Sequence, residues 1–160
     1  MSPKVSVINR QDRVAVDRRK IGAAARRILT RLGYKGYELT VIVVDDPEIT
    51  RLNRQYFRRN RPTNVISFPM MDGTAAYLHA KLLGDVVISA ETAKRDAEEV
   101  GKKTEDEILF LLIHGILHLA GYDHEKIKED RVKMEAKEQE LFLRLKAPLC
   151  GDRGSLKKER

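Results

Sequence analysis

Residues 108–124 read ILFLLIHGILHLAGYDH. From Ile108 to Leu119 a helix would be apolar on nearly every side, so this chain must bury that segment at its centre. The run is well short of the ~18 residues that suggest a membrane span. Yet three of the chain's four histidines, His114, His118 and His124, lie within the stretch. Burying imidazole in hydrocarbon costs free energy unless its ring nitrogens find partners. A buried central helix over 104–120 is expected, with histidines that share a partner.

Helical residues four apart lie on one face, so His114 and His118 project side by side. Gly121 takes the left-handed conformation at low cost and ends the helix, letting His124 swing back. Three converging imidazoles are the protein half of a tetrahedral zinc site, one ion per chain, with a fourth position open for water. The competing reading is that these are satisfied core histidines. Three of them clustered within residues 114–124 weaken it. His79 sits in a polar loop and reads as a surface residue. The spacing also matches the metzincin protease pattern H-E-x-x-H-x-x-G-x-x-H. Here Gly115 occupies the place of the glutamate that acts as general base in those proteases, which argues against peptide hydrolysis by that route.

The flanking pattern mixes both periodicities. Strands are expected at 3–10, 37–46, 63–69 and 83–89 from β-branched or alternating apolar residues. Residues 11–32 have helical spacing with a basic opposite face, stopped by Gly33. Asp46-Pro47 reads as a helix start, with Asp46 as N-cap, running to about Phe57. Residues 70–82 look like a loop or hairpin. Ser89 caps a helix ending at Gly101, and Thr104 and Glu107 form a capping box. A last charged helix follows His124 and stops at Pro148. The fold class expected is α+β, one domain over 1–149. A roughly four-stranded mixed sheet packs with about five helices, and 150–160 is a frayed basic tail. Cys150 is the only cysteine, so no disulfide framework is expected and the compartment reads as reducing. The N-terminus has no apolar core of signal-peptide length. A cytoplasmic monomer without membrane attachment is expected.

From Ile49 to Met71 there is no acidic residue, while Arg51, Arg54, Arg58, Arg59 and Arg61 all occur. Arginine forks bind phosphate bidentately, and Tyr56 and Phe57 among them suit base stacking. The net charge of +7 fits a polyanionic partner. The plainer reading is a solvated helix face with Leu52, Tyr56 and Phe57 in the core. On the nucleic-acid reading, Arg51, Arg54 and Arg61 hold RNA.

HGILHLAGYDH (114–124), PTNVISFP (62–69) and LGDVVIS (83–89), in that order, resemble the YbeY family, bacterial endoribonucleases of 16S ribosomal RNA maturation. The resemblance extends from about residue 38 to 146. It implies an α+β fold and one zinc held by His114, His118 and His124. It also implies single-strand-specific RNA cleavage in 16S rRNA 3′-end maturation and ribosome quality control, with the ribosome or ribosomal proteins as partners. Family members often carry an arginine directly after the tyrosine. Here that place is Phe57, and the arginines come next, at Arg58 and Arg59; the resemblance implies that one of them stabilises charge on a phosphorane-like transition state, with Ser67 positioning phosphate. Three function classes stand. They are a metal-dependent endoribonuclease, a metalloprotease disfavoured by Gly115, and a ribosome-associated RNA-binding protein with a structural metal.

Overall fold

Alternation along the β-branched runs builds one sheet with two different faces. The computed structural model describes residues 2–70, 81–121 and 132–146. Its strands are β1 (Lys4–Asn9), β2 (Glu38–Val44), β3 (Val65–Pro69) and β4 (Leu82–Ser89). Their order is β1-β2-β4-β3. β1, β2 and β4 are parallel, and β3 runs antiparallel to β4 at the edge. The helices are α1 (Arg18–Arg31), α2 (Asp46–Phe57), α3 (Ala90–Glu99), α4 (Thr104–Leu119) and α5, described over 132–146. This is the mixed four-stranded α+β domain expected, with five helices among the described residues.

Leu39, Val41 and Val43 of β2 point to the main core, where α1 and α4 pack. Val44 and Ile42 point to the other face, which α2 covers through Ile49 and Leu52. α4 is the centre of the main core. Ile113, Ile116 and Leu117 are fully buried, and Ile108, Leu111, Leu112 and Leu119 nearly so. At about 1.5–3 kcal/mol for each large apolar side chain, this one helix contributes on the order of 10–20 kcal/mol before entropy is counted. That sum dictates its place. α5 adds Met134, Leu141 and Leu145, all buried.

Several element ends differ from expectation, each for a local reason. α1 begins at Arg18, not near 11, because Asp17 caps it by accepting the Arg19 and Lys20 N–H groups. The residues before it wrap around Gln11. Its side chain accepts the Arg13 and Val14 N–H groups and donates to the Val14 carbonyl. α2 is capped by Asp45 rather than Asp46. The capping box at Thr104 does not form. Lys103 is the N-cap, without a side-chain bond, and Glu107 instead pairs with Lys102 at 2.7 Å. Ser89 caps α3 as expected, accepting the Thr92 N–H. His79, His124, Cys150, the 150–160 tail and most of the expected 70–82 loop lie outside the described residues.

Displaced from capping, Asp46 ties α2 to α3. Its carboxylate accepts the Ser89 hydroxyl at 2.7 Å, the Thr92 hydroxyl at 2.6 Å and the Arg95 guanidinium at 2.7 Å. Burial pushes this carboxyl up, but the two hydroxyls and the guanidinium outweigh it and hold its pKa below the ordinary 3.8. A lowered folded pKa contributes stability that is full above the unfolded value and lost as pH falls through the folded one. Asp46→Asn should therefore cost about 1–2 kcal/mol in urea unfolding at pH 7. The gap between the two proteins should narrow as pH drops below the unfolded value. A gap of equal size at pH 7 and pH 3 would show that charge plays no part in this joint.

Candidate metal centre

β3 and β4 sit directly on the helical turn that carries the histidines. Gly84 of β4, at φ 145°, permits the close approach. A Cβ there would lie 2.4 Å from the Phe68 carbonyl oxygen and 3.0 Å from Leu119 of α4. Gly115 permits the second. A Cβ at 115 would lie 2.6 Å from Cγ1 of Val86 and 3.3 Å from Oγ of Ser67. The Ser67 hydroxyl donates to the Gly115 carbonyl at 2.8 Å. Strand and helix are thus locked together one residue past His114.

Between Leu111 and Leu119 every residue is buried except His114 and His118, which are half-buried. Their Nε2 atoms lie 3.1 Å apart, with ring centroids 4.6 Å apart. Two nitrogens bound to one tetrahedral zinc at 2.0–2.1 Å would be roughly 3.3–3.4 Å apart. The pair therefore fits a shared ion with almost no movement. On its far side the His114 ring bonds through Nδ1 to the Glu138 carboxylate of α5, which is 4% exposed. Among the described residues no third His, Cys, Asp or Glu joins a ligand cluster. The expected third ligand, His124, lies outside them.

Ser67 is brought to this centre, but its proton is given to Gly115. It holds the ligand-bearing turn rather than donating elsewhere. The arginines lie on α2 and the segment after it. Arg51 meets Gln55 and Glu48, and Arg54 meets Asn60. Arg58, Arg59 and Arg61 are exposed, and among the described residues their side chains make no hydrogen bond or ion pair. Arg58 ends α2 in the left-handed conformation (φ 57°, ψ 33°). That conformation is unfavourable for a residue with a Cβ. Tyr56 is 56% exposed and Phe57 51%, so neither belongs to the core that the solvated-face reading gave them. Tyr56 stands edge-on to Phe68 at 5.0 Å.

Two structural residues escaped the sequence reading. Buried Asn53 donates to the Arg61 carbonyl at 2.9 Å, and its own carbonyl accepts the Arg59 N–H, folding the arginine segment back on α2. Nothing in the sequence marks this asparagine. Glu138 did leave a trace. It stands on the same helical stripe as Met134, Leu141 and Leu145, all core residues.

The sequence profile of the family described as "Endoribonuclease YbeY" matches residues 6–146. A protein of Geobacter metallireducens named "Endoribonuclease YbeY" is 49% identical, over 87% of this chain and 93% of its own length. One of the same name from Aquifex aeolicus is 44% identical, over 81% and 85%. The solution structure of a Thermotoga maritima protein superposes with a TM-score of 0.63 at 26% identity, covering 92% of this chain and 93% of that one.

Proposed function

The chain belongs to the YbeY endoribonuclease family, and from that premise we propose that it is a zinc-dependent endoribonuclease specific for single-stranded RNA. Its substrate is the 3′ end of 16S rRNA, and its setting is ribosome maturation and quality control in the cytoplasm, as a monomer engaging the ribosome or its proteins. The observation that carries the metal part is the 3.1 Å convergence of His114 and His118 Nε2. With His124 as third ligand, these residues hold one zinc.

When bound, zinc supplies Lewis acidity at a phosphoryl oxygen and acidifies water. The chain's own residues do the rest. Ser67, bonded to Gly115, keeps the histidine turn in register with the edge strand β3. The segment leading into β3 carries Arg58, Arg59 and Arg61. Arg58 or Arg59 places charge where the phosphodiester becomes more negative in the transition state. Arg51, Arg54 and Arg61 hold the backbone, and exposed Tyr56 and Phe57 suit unpaired bases. Val86 fills the space a protease's glutamate would need at 115. That disfavours peptide hydrolysis.

The test is the double variant Arg58→Glu/Arg59→Glu, assayed with single-stranded RNA across a salt series. Affinity for RNA should fall at least tenfold and its salt dependence should flatten, since fewer counterions are released. Zinc content should stay at the wild-type level. Unchanged RNA affinity would reduce the arginine segment to a solvated surface.

A further inference from the structure

Glu138 is a carboxylate in a place where the helix pattern calls for an apolar residue. It lies between Met134 and Leu141 on the buried face of α5 and is 4% exposed. Its Oε2 meets Nδ1 of His114. A buried charge without a partner is costly, so a glutamate in this stripe needs a compensating contact. The contact runs to the back of the ring whose front nitrogen faces His118.

We infer that Glu138 is the positioning residue of the metal centre. This inference rests on the metal reading above. A carboxylate accepts hydrogen bonds and cannot donate them. In that contact Nδ1 of His114 is the donor, which turns the ring's other nitrogen, Nε2, toward Nε2 of His118. The bond also fixes the ring's rotation. A zinc ion held by His114 and His118 would supply positive charge on the far side of the imidazole from the buried Glu138 carboxylate. The last helix is thereby coupled to the metal. α5 reaches the centre through Glu138, while Met134, Leu141 and Leu145 anchor it in the core.

The experiment compares wild type with Glu138→Gln, which keeps size and shape but removes the charge. Zinc affinity is read by competition with a chromogenic chelator, and folding by circular dichroism. In parallel, ¹⁵N NMR of the histidines in zinc-loaded wild type reports which nitrogen of His114 carries the proton. The expected results are a folded Glu138→Gln with zinc bound roughly 10–100-fold more weakly, and a His114 protonated on Nδ1. Zinc affinity within threefold of wild type in the folded variant would overturn the assignment. So would a His114 protonated on Nε2, and this second readout decides the matter if the variant does not fold. A wild type that binds no zinc would instead sink the metal reading itself, and this inference with it.

Discussion

Gly115→Glu should be strongly destabilised, and it should gain no peptidase activity. A single Cβ at 115 already meets Val86 at 2.6 Å and Ser67 at 3.3 Å. Overpacking of this kind costs about 1–3 kcal/mol. A glutamate adds a charge pressed between helix and sheet with no partner, a further loss of several kcal/mol. Domains of this size are stable by about 5–15 kcal/mol in total. Thermal unfolding followed by circular dichroism should show a broad transition or a midpoint lower by more than about 10 °C. Gly115→Ala isolates the steric part, and Val86→Ala should relieve it in the double variant. A folded Gly115→Glu that digests casein would show that the substrate class is wrong.

His118→Ala should abolish tight metal binding. His118 supplies one of the two nitrogens that converge at 3.1 Å, and Ala leaves of that pair only His114, tethered to Glu138. Loss of one of three nitrogen ligands removes the set that defines a zinc site with an open position. Metal content after dialysis should fall from about one ion per chain to background. The fold should survive, because His118 is half-buried at the edge of the helix's apolar face.

The sequence reveals the parts of this account that depend on residue type and period. α4 is legible because an apolar run with no polar face has only one stable place, and the histidine pair because i and i+4 share a face. The cap at Ser89 is legible because a serine before a helical run has one obvious use. What the sequence hides depends on competition between partners. Gln11 captures the backbone of the residues before α1, so the helical spacing there goes unused. Lys102 captures Glu107 and empties the capping box. Glu138 sits in a helix rich in charge, and only its position on the Met134–Leu145 stripe betrays it. The arginine segment shows its chemistry in sequence, but its shape comes from buried Asn53 and the left-handed Arg58. Gly115 is legible as a missing base, yet its steric reason, Val86, appears only when β4 is laid on α4.

A metal held by His114 and His118, as proposed, would have to serve RNA cleavage. The most direct measurement strips wild type and His118→Ala of metal with a chelator, then titrates zinc into each with a labelled single-stranded RNA present. Stripped wild type should be inactive and regain cleavage with about one equivalent of zinc. His118→Ala should stay at least 100-fold slower throughout. Full cleavage by the stripped wild type, or equal cleavage by His118→Ala, would contradict it.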